Sequence, residues 1–519
     1  MEVRHARLPS GGADQLNIRP DTGPSSGAHQ AASIYSTVQK QDYCASVWLS
    51  KTDKLEYSQQ KCIVVFALVC CFGVLVALIF SAVDVLGEDE GGITEENCSK
   101  NCRVVLVENI PEDISISPEG TMPLATGLHN LLDLAQKSVE IVSPWWALNA
   151  TEQESHFPHA KQGQLLLQRL MGLKTENVHL KVASGITPSE ELALLSHCGA
   201  EVHYLNMTAL TRGRLHSSFW VVDRKHMYIG SAGMDWRSLS TLKELGVIIY
   251  ECSCLVLDLH RIFSLYWQLQ YRDFVPSIWS KRLYAIFNKE EPLELLLNGT
   301  SAKAYVSTSP DLFCPKDRTR DIEAIFHLIQ EARKFIYISM SDYLPLLSNS
   351  AHTYWSQIDG MLREALILRQ VKVRLLISCW EQMHPLTFNF LWSLKSLCMD
   401  MANCSAEAKF FSPRLRDDGS LQGINHHRYM VTDTSVYIGN FDWVGNEFVY
   451  NAGAGLVLSQ RDAGPTVLER MRGVFDRDWR SPYSKTLQPN MVPMCGANAV
   501  FPGPRLKDYP AVFTNRHFL

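Results

Sequence analysis

Four landmarks in this 519-residue chain return in the same order about 210 positions later, and that recurrence restricts the fold more than any other feature. His216 to His426 spans 210 residues, Tyr228-Ile-Gly230 to Tyr437-Ile-Gly439 spans 209, Trp236 to Trp443 spans 207, and Trp267 to Trp479 spans 212. The chain is therefore expected to contain two copies of one unit. The octets His216-Ser-Ser-Phe-Trp-Val-Val-Asp223 and His426-His-Arg-Tyr-Met-Val-Thr-Asp433 each carry His first and Asp eighth, and each precedes a glycine turn. Neither copy holds two such histidines, so any chemistry needing both lies where the copies meet.

Secondary structure repeats as well. Apolar periodicity predicts a helix over 124–137, then strands over 139–142 and 179–183; the counterparts are a helix over 320–333 and strands over 335–338 and 371–377. After each octet come two strand-like runs, 227–229 and 247–250 in the first copy and 436–438 and 455–458 in the second. A helix closes each copy, over 253–270 and 464–477. Helices alternating with buried strands imply an α/β fold of two sandwich halves about a pseudo-twofold axis.

Residues 62–83 hold 22 positions without a charge, enough for a helix to span a bilayer core about 30 Å thick. Lys51, Lys54 and Lys61 precede this run, whereas Asp84, Glu88, Asp89, Glu90, Glu95 and Glu96 follow it. The asymmetry predicts a single-pass signal anchor with the amino terminus cytoplasmic and the remainder luminal or extracellular, in the endoplasmic reticulum, Golgi or endolysosomal system. All five Asn-x-Ser/Thr sequons, at Asn97, Asn149, Asn206, Asn298 and Asn403, lie beyond the span and are the expected glycosylation sites. Ten of fourteen cysteines do too. In an oxidising lumen Cys98, Cys102, Cys252 and Cys254 read as disulfide partners, expected as a crossed pair of bridges; zinc ligation by the two short motifs is the alternative.

The expected organisation is a cytoplasmic disordered tail over 1–61, the span over 62–83, an acidic stalk over 84–102, half 1 over 103–290, half 2 over 291–485 and a proline-rich tail over 486–519, held by Cys495. Tyr35-Ser-Thr-Val38 has the form of a tyrosine-based sorting signal. With net charge -5 the chain has no global attraction for nucleic acid.

A phosphodiester is cleaved without metal when one His attacks phosphorus, a second protonates the leaving oxygen, and cationic and amide donors hold the remaining oxygens. The octets and their glycine turns resemble the phospholipase D superfamily, whose motif is His-x-Lys-x4-Asp followed by Gly-x-x-Asn. The resemblance runs over roughly 103–485. Phe219-Trp-Val-Val-Asp223, Met234-Asp-Trp-Arg-Ser238 and Lys243-Glu-Leu-Gly246 are similar to the type II membrane-anchored branch, which includes lysosomal five-prime exonucleases.

The resemblance implies that His216 and His426 stand at the catalytic histidines and Asp223 and Asp433 at the structural aspartates. It also implies that Ser218 and Arg428 replace the phosphate-binding lysines, with Gly233 and Asp442 in place of the asparagines. Each lost oxygen-holding donor costs on the order of 3 kcal/mol in the transition state. An ionised Asp442 about 4 Å from a phosphate oxygen adds roughly 4 kcal/mol of repulsion. Arg428 is expected to pair with Asp442 instead of with substrate.

The eight motif positions are thus expected to be vestigial, in a membrane glycoprotein that acts by binding or assembly, with no cofactor or metal and with an unspecified protein partner or a second copy of itself. Capture of a metal by His216, His426 and Asp442 has only ligand type in its favour. His216 and His426 are otherwise core histidines, Asp223 and Asp433 strand-end residues, and His427 faces away and needs no role. The rival reading is a weak phosphodiesterase acting on single-stranded nucleic acid or phospholipid through the retained histidines. A third is a scaffold that binds phosphate groups without cleaving them.

Overall fold

The computed structural model describes residues 63–76, 98–118, 120–150, 159–270, 272–347, 353–380, 383–399, 403–412, 414–415, 421–460 and 466–488. The chain divides into two compact units, 1–79 and 80–519. In the first, residues 63–76 are helical, with Ile63, Val64, Phe66, Val69 and Phe72 exposed. No helix among the described residues is long and apolar enough to cross a membrane. The tail over 1–61 with Tyr35, the remainder of the expected span, the stalk up to Asn97, and residues 489–519 with Cys495 lie outside the described residues.

The second unit is mixed α/β. Its first sheet uses β1 (Arg103–Asn109), β2 (Ser138–Ser143), β3 (His179–Gly185), β4 (Glu201–Leu205), β5 (Phe219–Val222), β6 (His226–Gly230) and β7 (Leu242–Tyr250) in the order β1-β7-β6-β5-β2-β3-β4. The second sheet adds β8 (Leu293–Leu297) at one edge, then uses β9 (Thr300–Ser309), β10 (Phe335–Met340), β11 (Lys372–Ser378), β12 (Ala406–Phe411), β13 (Tyr429–Thr432), β14 (Ser435–Ile438) and β15 (Gly453–Ser459) in the order β8-β9-β15-β14-β13-β10-β11-β12. Seven strands correspond one to one. In both sheets the first four of the shared contacts are antiparallel and the last two parallel.

Helices α1 (Leu124–Leu134) and α2 (Asp321–Glu331) precede β2 and β10, and each buries one stripe. Leu124, Gly127, Leu128, Leu131 and Leu132 are answered by Asp321, Ala324, Ile325, Leu328 and Ile329, the spacing of a helix face on a sheet. Each fully buried leucine there contributes about 1.5–3 kcal/mol. Helix α3 (Ser253–Leu269) is buried nearly all round, in a core continuous from one sheet to the other. Helix α4 (Val467–Arg480) is its amphipathic counterpart; it begins and ends three residues later than periodicity placed it, and Thr466 caps it by accepting from the Glu469 N–H.

The repeated Tyr-Ile-Gly has a steric cause. Tyr228 and Gly230 share a face of β6, and Gly246 pairs with Gly230 on β7. A Cβ on Gly230 would lie 2.6 Å from the Tyr228 hydroxyl oxygen, and one on Gly246 would lie 2.5 Å from its ring. Gly439 and Gly455 seat Tyr437 in the same way, both at 2.5 Å. A side chain at any of the four would displace a fully buried tyrosine.

The halves are laced together reciprocally. The N–H of His216 donates to Ala452 O, just before β15, and that of His426 donates to Lys243 O, at the start of β7; both bonds are 2.8 Å. Two disulfides, Cys98–Cys254 and Cys102–Cys252, tie the start of the unit to α3. Both join the two short motifs, but they are nested rather than crossed, because 98–102 runs antiparallel to 252–254. This excludes the zinc alternative for these four sulfurs and places Cys98 and Cys102 in the core rather than in a stalk. A third bridge joins Cys398 to Cys404.

Candidate functional site

Each octet runs down the strand next to the parallel edge of its sheet and ends in a turn. The Asp223 carboxylate accepts from the N–H groups of Gln136, Lys137 and Ser138 at 2.7, 2.8 and 2.8 Å. Asp433 accepts from Arg333, Lys334 and Phe335 at 3.0, 2.9 and 3.4 Å. Both aspartates therefore fasten the octet to the helix-to-strand turn of their own half. Because those donors are partly solvated, Asp223→Ala and Asp433→Ala are each expected to cost only about 1–2 kcal/mol. Urea unfolding of the two variants should give matching losses.

The first positions point to the seam. His216 Nδ1 lies 3.9 Å from Glu447 Oε2, and its ring packs at a tilt on Phe441, 6.0 Å between centroids. His426 Nδ1 lies 3.3 Å from Glu244 Oε1, with Trp380 edge-on at 6.1 Å. Each imidazole thus meets a carboxylate carried by the other half. Arg428 joins the two pairs: burial works against its charge, and Asp442, Glu447 and Glu244 outweigh that and hold it above its ordinary range.

The oxygen-holding positions are turned to other uses. Ser218 is buried and its hydroxyl donates to the carbonyl of Ala232. At Gly233 a Cβ would rest 3.5 Å from the Trp145 ring, so that ring bounds the space an asparagine would need. Asp442 accepts from the N–H groups of Ser341 and Asp342 at 2.7 and 3.1 Å, and its second oxygen lies 3.2 Å from Arg428 Nη2. The expected Arg428–Asp442 pair is present, so the cation at the second lysine position is spent on an internal anion.

His427 is placed differently from expectation. It does face away from His426, but into a buried charged cluster across the seam. The Lys243 ammonium donates to Glu108 Oε1 at 2.8 Å, Asp478 Oδ2 at 2.6 Å and His427 Nε2 at 3.0 Å, using all three of its protons. Burial and the adjacent ammonium hold the His427 imidazole well below its usual range, hence neutral and able to accept. Burial raises the Glu108 carboxyl, yet Lys243 and Arg477 outweigh it and leave it depressed; burial wins at Asp478, which is raised. Glu108, His427 and Asp478 have metal-ligand chemistry and converge within 4.8 Å, but the Lys243 ammonium fills their centre.

Glu244, Glu447, Lys243, Glu108 and Trp380 were not singled out from sequence. Lys243 and Glu244 sit inside the Lys243-Glu-Leu-Gly246 segment that carried the resemblance, which was the available signal. His216, His426 and Asp442 do not form a metal-binding group among the described residues. Of the sequons, Asn149, Asn206, Asn298 and Asn403 are exposed, and Asn97 lies outside the described residues.

The family model described as "PLD3/4, PLD-like domain" matches residues 115–415. The chain is 50% identical over 99% of its length to a Mus musculus protein named Inactive phospholipase D5, covering 99% of that protein. It is likewise 50% identical to the Homo sapiens protein of that name, covering 96% of each. A Homo sapiens protein named 5'-3' exonuclease PLD3 is 40% identical over 75% of this chain and 82% of its own length.

Proposed function

We propose, from the premise that this chain belongs to the phospholipase D superfamily, a role in binding or assembly for a homologue whose reaction centre is silent. It is a non-catalytic phospholipase D-like protein. The observation that carries this reading is the Arg428–Asp442 pair at 3.2 Å, which places an acid where the family motif has an amide and neutralises the remaining cation. The one-to-one strand correspondence supports two duplicated halves about a pseudo-twofold axis. Basic residues before 62–83 and acidic ones after it support a single-pass anchor, amino terminus cytoplasmic, with the duplicated part luminal and glycosylated. The partner is then a protein, or a second copy of this chain, met on the luminal side.

Against this stands the reading as a weak phosphodiesterase, which the two histidine–carboxylate pairs favour. Full-length protein in detergent, assayed with a phosphodiester reporter and with single-stranded DNA, is expected to give no turnover above buffer. Turnover that disappears in His216→Ala would sink the proposal. Oligonucleotide binding that weakens steeply with salt would instead establish the phosphate-binding scaffold.

A further inference from the structure

We propose that Ser264 is an activated nucleophile that takes an acyl group from a carboxylic ester, with His260 as its general base and Glu140 as the positioning residue behind the imidazole. These side chains belong to neither octet and use none of the eight motif positions, so the proposal stands apart from the reading of the seam. His260 and Ser264 are four residues apart on α3, hence one above the other on a single helix face. Glu140 reaches them from β2, where it pairs with Val221 of β5 and Lys181 of β3. Its Oε2 accepts from His260 Nδ1 at 2.6 Å, and His260 Nε2 lies 3.2 Å from Ser264 Oγ.

The order of these contacts matters. An ionised carboxylate only accepts, so Nδ1 carries the proton and Nε2 is left as the acceptor facing the serine hydroxyl. Glu140 and His260 are 4% and 8% exposed, which shields their bond from water, whereas Ser264 is half-buried and keeps part of its surface in solvent. A histidine–glutamate pair is enough to satisfy two buried groups; the hydroxyl on Nε2 adds the nucleophile to a base and its orienting acid. Trp267, on the next turn and half-buried, offers the acyl chain an apolar wall, its ring stacked on His203 at 3.4 Å. Lys181 holds its ammonium 5.4 Å from the same ring, a cation beside the site for an acyl oxygen gaining charge. In the step, Ser264 Oγ bonds to the acyl carbon and gives its proton to His260 Nε2. The bond to the leaving alkoxide breaks, and that oxygen takes the proton from Nε2, which leaves O-acylated Ser264 and a free alcohol.

The experiment treats full-length protein in detergent with an alkyl fluorophosphonate, whose phosphorus stands in for the acyl carbon and whose fluoride leaves. Peptide mass spectrometry locates the adduct. Labelling of Ser264 is expected in the native protein and not in protein unfolded in urea, because a serine hydroxyl without its base is a weak nucleophile. Ser264→Ala should remove it. His260→Gln is expected to slow labelling about a hundredfold or more. Glu140→Gln should lower the maximal labelling rate and leave unchanged the probe concentration that gives half of it, a split that loosened packing alone would not produce. Should a variant fail to fold, the native and urea arms decide by themselves. No adduct on Ser264, equal labelling in urea, or a rate indifferent to His260→Gln overturns the proposal.

Discussion

Replacing Lys243 with methionine is expected to lower folding stability by about 3–5 kcal/mol, the cost of leaving a buried charge without its partner. Lys243 is fully buried, as are Glu108 and Asp478, the carboxylates its ammonium holds. Arg477 reaches both acids, with Nη2 at 2.5 Å from Glu108 and 2.8 Å from Asp478, so removing Lys243 leaves two carboxylates sharing one guanidinium. The excess is one buried negative charge.

Adding Asp478→Asn to Lys243→Met should recover more than half of the loss, because the remaining Glu108–Arg477 pair is balanced. Denaturant midpoints for the four members of this cycle measure the effect. A double variant no more stable than Lys243→Met would show that the lysine acts through packing. Since the single variant ionises two crowded carboxylates, acidification should also narrow its deficit as they protonate.

Asp321→Asn is expected to work in the opposite direction, stabilising the protein at neutral pH by about 3 kcal/mol. Asp321 opens α2 and is fully buried beneath the second sheet, where Ser307 donates to it at 2.5 Å. Burial outweighs the hydrogen bonds and pushes its carboxyl from the ordinary 3.8 up to about 6. The folded state therefore holds this proton more tightly than the unfolded chain does. The resulting stabilisation is fully present below pH about 4 and is lost as pH rises through about 6.

Asparagine keeps the acceptor for Ser307 and never ionises. Melting temperatures of native protein and variant between pH 4 and 7.5 should converge at the acid end and separate toward neutrality, with the variant higher. A gap that stays constant across this range would show that Asp321 does not titrate there.

Much of the fold was legible. Strand and helix positions came within a few residues because burial on one face imposes a period of 2 or 3.6 on the sequence, and that signal is local. The largest boundary miss was at β7, which starts five residues before the expected 247; α4 was displaced by three, where 461–465 separate it from β15 and a threonine cap, rather than apolar spacing, fixes the start. The recurrence of landmarks was legible because equal offsets require no knowledge of contacts. At the site, Ser218, Gly233, Arg428 and Asp442 were identifiable by position in a motif. Glu447 was not, because it belongs to no repeated landmark: the second-copy residue matching Glu244 is Gly453, where a Cβ would lie 2.3 Å from the Phe441 ring.

The sequence alone pointed to two like units that meet, to one histidine from each, and to the loss of the family motif's lysines and asparagines. Only the tertiary structure decided what replaced them. Lys243 meets acceptors 135, 184 and 235 residues away along the chain, and each histidine meets a carboxylate from the opposite half. Periodic burial is written into neighbouring residues, whereas a charge finds its partner within a few ångströms of space. Which distant side chains come that close is set by how the two sheets close on one another.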